Sequence, residues 1–219
     1  MEPAAFVFDA YGTLFDVHSV VQRCETFWPR RGAELSRLWR AKQLEYSWLR
    51  SLMGRYAPFS QLTREALRYS CAALHLPFED STEKALMQEY LELAPYPDVA
   101  HGLKKLSGGK LAILSNGSPD MLEPLVAHAG LKLDAVLSVD TVKLYKPAPA
   151  VYQLAVSRLG IRKEQIGFVS SNCWDAIGAK SFGFSVTWIN RAAAPVDPLG
   201  FTPDSIVSSL GDLAEKSSP

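Results

Sequence analysis

Short apolar runs, each closed by a polar residue and a turn, recur along the chain at 4–9 (AAFVFD), 110–115 (KLAILS), 135–139 (AVLSV), 166–170 (IGFVS) and 185–189 (SVTWI). Runs of this length, bounded by Gly, Asn, Ser or Asp, predict buried strands. Helical patterns lie between them and stop at glycine: 121–129 before Gly130, 151–159 before Gly160, 176–182 before Gly183. Glycine just past the last turn is the common helix stop. Strand alternating with helix predicts an α/β fold, a Rossmann-like doubly wound and mostly parallel sheet with helices on both faces. Such sheets carry their chemistry at the carboxyl ends of the strands. Four of those ends are polar here: Asp9, Ser115, Asp140 and Ser170.

From about residue 15 to 95 the alternation gives way to helices without strands. At 34–53, apolar residues at 35, 38, 39, 46, 49 and 53 make a core stripe at the helical period, and Gly54 ends the helix. Arg40, Leu44 and Trp48 form a second stripe at i, i+4 and i+8. Two positions for Arg40 fit that spacing: snorkelling at the surface, or pointing into a cleft between insertion and core. A second helix is expected over 63–75 before Pro77, and a third from Asp80, where Asp80 and Glu83 have capping-box spacing. Pro95-Tyr96-Pro97 marks the return. The expected organisation is a core of 1–14 and 96–219 with an inserted all-helical cap subdomain at 15–95. The end of the chain, GDLAEKSSP, reads as a short helix and a frayed end.

Composition narrows the function classes. The chain has 219 residues, with Lys+Arg 23 against Asp+Glu 23. Balanced charge argues against a nucleic-acid partner, whose phosphates call for a basic face. No apolar run reaches the ~18 residues that would span a bilayer. The start, MEPAAFVFDAYG, lacks the basic and long apolar stretches of a secretory signal. Cys24, Cys71 and Cys173 are widely spaced and form no CxxC. That argues against a disulfide framework or a zinc site, and the cytoplasm is the expected setting.

Candidate chemistry sits at the strand ends. Two roles fit Asp9, which leads into Ala10-Tyr11-Gly12-Thr13-Leu14. It is a carboxylate nucleophile facing turn N–H groups, or an acid that caps the turn. Ser115 and Asn116 suit anion binding at a helix start, while Ser118 and Pro119 suit the helix cap and first position. Lys146 is either a surface lysine or the counter-charge to a cleft carboxylate. A lone lysine at such a place is more often a surface residue, although a helix N-terminus favours anions and is a poor site for a lysine without a function. In FVSSNCWD, Asp175 suits the first turn of a helix and equally a second catalytic carboxylate opposite Asp9. Trp174 beside it is odd if exposed and natural in an apolar pocket.

DAYGTL, LSNGS, Lys146-Pro147 and SSNCWD, in this order, resemble the motifs of the haloacid dehalogenase-like superfamily over nearly the whole chain. Most of its members are magnesium-dependent phosphohydrolases with a second Asp two residues after the nucleophile. Tyr11 stands there in this chain, and Ser170-Ser171-Asn172 stands where an early magnesium-binding acid is usual. A phosphatase needs that acid and that metal. A halide leaving group needs no proton, and a carboxylate substrate of single charge needs no magnesium. The departures therefore resemble the L-2-haloacid dehalogenase branch. Leu38-Trp39-Arg40, QLEYSWLRSLMGRY and FVSSNCWDAIGAKSFGF resemble it too, apart from Cys173, where a small residue such as Ala or Gly is expected.

The resemblance implies a 2-haloacid hydrolase with no metal and no cofactor, active on a small 2-haloacid with a halide ion released. Asp9 is expected to attack C2 and form an ester. Arg40, Asn116 and Trp174 would cradle the halide, and Ser115 with the N–H groups near Ala10 and Tyr11 would bind the substrate carboxylate. Asp175, Asn172 and Ser170 would position or activate water, Lys146 would balance the carboxylates, and Thr13 would orient Asp9. Tyr152 matches a further family position, and Tyr11, Leu44, Phe59 and Trp174 would line the alkyl pocket. Homodimerisation is a family habit. Two alternatives remain at this level: an atypical magnesium phosphohydrolase and a non-catalytic binding protein of the same fold.

Overall fold

A computed structural model describes residues 3–216. The first two residues and the expected frayed end at 217–219 lie outside the described residues. Strand β1 (Ala5–Phe8) buries all four side chains of AFVF, as a strand covered on both faces must. It pairs in parallel with β2 (Lys110–Ser115) on one side and β4 (Ile166–Ser170) on the other. With β3 (Ala135–Ser138), β5 (Ser185–Ile189) and β6 (Ser205–Val207), the order is β3-β2-β1-β4-β5-β6, parallel throughout. The chain winds outward from β1 to β3, then returns to the far side of β1 as β4. That reversal opens a crevice at the carboxyl ends of β1 and β4, the place where doubly wound sheets bind ligands. The edge strand β6 was not foreseen: SIV is three residues long, and Ile206 is exposed.

Between β1 and β2 run α1 (Val20–Phe27), α2 (Gly32–Leu52), α3 (Phe59–Ala73), α4 (Asp80–Glu89) and α5 (Val99–Lys105). After β2 come α6 (Pro119–His128), α7 (Pro149–Leu159), α8 (Cys173–Phe182) and α9 (Leu210–Lys216). Helix α5 packs on α9, and α7 on α8. Helices α7 and α8 end at Gly160 and Gly183 in the left-handed conformation, the C-terminal stop expected there.

Three local expectations change. The buried face of α2 is Gly32, Leu35, Ser36, Trp39, Gln43 and Ser47, while Leu49 and Met53 of the expected stripe are exposed. Polar groups can hold this face because they are satisfied. Gln43 Nε2 donates to Thr63 Oγ1 (3.1 Å), Tyr90 O–H donates to Gln43 Oε1 (3.3 Å), and Trp39 Nε1 donates to the Thr63 carbonyl (2.8 Å). Glu83 makes no capping box. It is drawn into ion pairs with Arg64 and Arg68, which bind α3 to α4. Ser118 and Pro119 do begin α6, but the Ser118 hydroxyl accepts the Ser60 N–H (3.1 Å) and so joins the helical segment to the core rather than capping its own helix.

Trp39 fills the space between α2, α3 and Tyr90, with its ring 4.8 Å from that of Tyr90. Trp39→Ala is expected to lower the unfolding free energy by about 3–5 kcal/mol, read from urea denaturation.

Candidate active site

The loop after β1 continues its pairing by one residue, because the Asp9 N–H donates to the Val169 carbonyl (2.9 Å). The Ala10 carbonyl then accepts from Thr13, Leu14 and Phe15 (3.2, 2.9 and 3.1 Å), and Gly12, at φ +87°, donates to Phe15 (2.7 Å). A side chain at Gly12 would strain that turn. These bonds fold the loop tightly and leave the Ala10 and Tyr11 N–H groups without backbone partners among the described residues.

Lys146 decides the character of the site. It is fully buried, so the surface role is excluded. Its Nζ lies 3.0 Å from Asp9 Oδ1 and 2.9 Å from Asp175 Oδ2, with the Phe168 ring centroid at 5.0 Å. Asp9 Oδ2 accepts from Thr13 Oγ1 (3.0 Å) and Asn172 Nδ2 (2.8 Å). Asp175 is itself fully buried in the first turn of α8, and its Oδ1 accepts the Tyr152 O–H (2.8 Å). Four predicted residues thus meet on Asp9 and Asp175 as donors, Thr13, Lys146, Tyr152 and Asn172, while Ser170, the last residue of β4, reaches them only through Asn172, whose N–H its Oγ accepts (3.1 Å). Thr13 Oγ1 also accepts the Ser171 N–H (2.8 Å).

One ammonium serves two carboxylates. Burial alone would lower the proton affinity of Lys146, but Asp175 and Asp9 together outweigh it and raise its pKa. Burial raises the pKa of Asp175, the Lys146 charge pulls against that, and the Asp9 charge adds to it. A carboxylate held in this way takes up a proton more readily than one in water.

The remaining predicted residues divide between two walls. Ser115 Oγ accepts the Gly117 N–H (3.0 Å), which fixes the turn after β2, and Asn116 Oδ1 accepts the Lys146 N–H (3.0 Å), which ties that turn to the lysine loop. Arg40, Leu44 and Trp174 line a cleft of about 460 Å³ with Gly12, Asn172 and Arg191. The cleft, one of two positions open to Arg40, is where the structure puts it. Trp174 stands edge-on to Trp48 at 5.5 Å. Tyr11 is buried against Phe59 (5.9 Å) and Tyr90 (6.4 Å), and its O–H has no partner among the described residues. Burial raises the Tyr11 phenol, while Arg40 acts in the opposite direction. Asp140, polar at its strand end, is elsewhere: it accepts the Tyr56 O–H and pairs with Lys143 at the contact between helical segment and core.

Magnesium does not fit these donors. It needs several oxygens in a near-octahedral set. Here the ammonium of Lys146 occupies the space between the two carboxylates, and Tyr11 turns an aromatic ring into apolar surroundings. Among the described residues no three His, Cys, Asp or Glu side chains are grouped to hold a metal.

Residues 3–183 match the model of a family described as haloacid dehalogenase-like hydrolase. The chain belongs to that family. It is 51% identical to (S)-2-haloacid dehalogenase H-109 of Pseudomonas putida over 98% of each chain. It is 53% identical to the (S)-2-haloacid dehalogenase of Pseudomonas sp. strain YL, over 95% of this chain and 91% of that one. A solved structure of L-2-haloacid dehalogenase from Xanthobacter autotrophicus with chloropropionic acid covalently bound is 45% identical. It superposes with a TM-score of 0.92 over 98% of both chains.

Within this haloacid dehalogenase-like fold, three site neighbours had gone unnoticed. Tyr90 and Tyr145 complete the aromatic surround of Tyr11 and Phe59, and Arg191 lines the cleft. The tyrosines carry no local signal, Tyr90 standing just past the end of α4 and Tyr145 in a loop. Arg191 does carry one, since Asn190-Arg191 follows a strand at its carboxyl end.

Lys146→Met leaves two buried carboxylates without their cation and is expected to cost about 3–5 kcal/mol of stability, measured by urea unfolding. Folding raises the proton affinity of Lys146, so its contribution is complete below the ordinary lysine value of about 10.4 and disappears as the pH climbs past the higher folded value. The wild type is therefore expected to lose stability in that alkaline range, and the Met variant to lack this loss.

Proposed function

We propose that this chain hydrolyses short L-2-haloalkanoic acids to D-2-hydroxy acids through an ester on Asp9. One observation carries this: a buried Asp9 held by Lys146, Thr13 and Asn172, with an aromatic residue, Tyr11, where a phosphohydrolase needs its acid. The naming of relatives at about half identity as (S)-2-haloacid dehalogenases supports it.

In the first step an Asp9 oxygen attacks C2 from the side opposite the halogen. The carbon–halogen bond breaks and its electron pair leaves with the halide, so no proton is required. Arg40 and Trp174, which share the cleft, together with Asn116 from the opposite wall, supply the positive charge and donors for that halide. The Ser115 hydroxyl and the N–H groups of Ala10 and Tyr11, free of backbone partners, suit the substrate carboxylate. Leu44, Phe59, Tyr11 and Trp174 confine the alkyl group.

In the second step water attacks the Asp9 carbonyl carbon. Asp175 takes the proton, aided by the raised proton affinity that burial confers, while Asn172 and Ser170 hold the water's surroundings. The tetrahedral oxyanion draws on the donors already aimed at Asp9: Lys146, Thr13 and Asn172. Collapse of the tetrahedral species breaks the acyl–oxygen bond; the departing alkoxide takes the proton held by Asp175 and leaves as the hydroxy acid, Asp9 returns to its carboxylate by giving one proton to solvent, and C2 is inverted once. Tyr152 holds Asp175 in register. We read 15–95 as a cap over the core of 1–14 and 96–219, lending Arg40 and Leu44 to the site. The exposed Leu49, Leu52, Met53 and Tyr69 support a homodimer. Three free thiols support a reducing cytoplasm.

Halide release from L-2-chloropropionate is expected in the presence of EDTA; a strict magnesium requirement, or turnover of p-nitrophenyl phosphate instead, would defeat the proposal. Asp9→Asn is expected to release no halide. Asp175→Asn is expected to release one equivalent and stall as the ester, seen by mass spectrometry. In the wild type, ester hydrolysis is expected to fall as the pH drops through a carboxyl value above the ordinary ~3.9, because Asp175 must be ionised to accept the proton.

A further inference from the structure

The chain leaves the core for the helical segment through residues 13–16 and returns through 94–98. The two crossings run side by side. The Asp16 N–H donates to the Ala94 carbonyl (2.9 Å), the Tyr96 N–H to the Leu14 carbonyl (2.9 Å), and the Tyr96 O–H to Asp16 Oδ1 (3.3 Å). Phe15 and Pro95 form an isolated antiparallel bridge.

Arg191, just past β5, grips both crossings with one guanidinium. Its Nη2 donates to the Thr13 carbonyl on the outgoing crossing (3.1 Å). Its Nη1 pairs with Asp98 Oδ1 at the end of the return crossing (3.1 Å), and its Cζ lies over the Tyr96 ring, 3.9 Å from the centroid. Asp98 also accepts the Leu210 N–H, which anchors the return crossing to α9. Thr13, in turn, donates to Asp9 and accepts from Ser171. Arg191 is therefore joined to the Asp9 carboxylate through Thr13.

Charge pairing alone does not explain an arginine here. A lysine would pair with Asp98, and an apolar residue would pack on Tyr96. The Arg191 Nε–H is buried and has no partner among the described residues, a cost that a simpler side chain would avoid. Only a planar fork with a stacking face can reach a carbonyl, a carboxylate and a ring at once.

We propose that Arg191 is a positioning residue: through Thr13 it sets the angle of Asp9, and through Tyr96 and Asp98 it holds the helical segment at a fixed distance from the nucleophile. Because the side chain also lines the cleft beside Arg40 and Trp174, the same contact fixes the wall across which the substrate lies. The inference rests on Asp9 as the nucleophile.

Steady-state kinetics on L-2-chloropropionate test it with Arg191→Gln and Arg191→Lys, alongside thermal melts. A misplacement near 1 Å of a reacting group lowers the rate by up to about 100-fold, so Arg191→Gln is expected to lose about 10- to 100-fold in kcat. KM is expected to change little. Arg191→Lys, which keeps the charge on Asp98 and loses the fork, is expected to recover part of kcat, and added guanidinium ion to recover part of the Gln variant's. Wild-type kcat in Arg191→Gln would overturn the proposal. So would a loss of kcat no larger than the loss of folded protein, restored by neither lysine nor guanidinium. Should the Gln variant not fold, the Lys variant decides: reduced kcat at an unchanged melting temperature supports positioning, and unchanged kcat refutes it. Wild-type protein assayed in parallel separates the two failures, since a wild type that releases no halide removes Asp9 as nucleophile and an active wild type with an equally active Arg191→Gln removes the positioning role.

Discussion

One buried ammonium between two buried carboxylates organises this molecule. Lys146, Asp9 and Asp175 come from widely separated parts of the chain and meet with almost no water access. Charges in that setting are tolerated only if every donor and acceptor is used. The surrounding hydrogen bonds do this: Thr13 and Asn172 on Asp9, Tyr152 on Asp175. Because the single positive charge is shared, neither carboxylate is fully neutralised, and the pair is left with a net negative charge. In the proposed reaction, one of these acids acts as nucleophile and the other accepts a proton. It also fills the space in which a divalent cation would sit.

The sheet supplies the precision. Parallel pairing of β1 with β4 fixes where Asp9 and the loop carrying Asn172 begin, and the reversal of strand order opens the crevice between them. Helix α8 then begins at the crevice, which puts Asp175 in its first turn, where the helix dipole favours an anion. At Gly178 the same helix packs so closely that a methyl group would lie 2.6 Å from the Tyr152 hydroxyl and 2.5 Å from Pro147. The helix, the lysine loop and α7 are thus locked together around the charges. The helical segment contributes from above, with Arg40 and Leu44 on the cleft face of α2.

Much of this was legible in the sequence, and the reasons are physical. Strands buried on both faces are continuous apolar runs, so five of the six strands and their polar ends could be read directly; β6 is too short to leave a pattern. Arg40 was legible as a choice between surface and cleft, because spacing defines a helical face but not what that face meets. The core face of α2 was misjudged for the converse reason. Gln43 and Ser47 are polar by type, and only the partners they find in Thr63, Tyr90 and the Leu44 carbonyl allow them inside. Glu83 and Ser118 matched local capping patterns and were claimed instead by distant partners, Arg64 and Arg68 for one and Ser60 for the other. Arg191 escaped notice because its meaning lies in two chain crossings about 90 and 180 residues away in sequence.

If the shared-ammonium arrangement makes Asp9 the nucleophile, an oxygen atom of Asp9 itself must reach the product. A single turnover with enzyme in excess, run in oxygen-18 water and read by mass spectrometry of both product and the Asp9 peptide, follows that atom directly. The expected result is an unlabelled hydroxy acid and one labelled oxygen in Asp9. Label in the first-turnover product with none in Asp9 would mean that water attacks C2 directly, and would contradict the account.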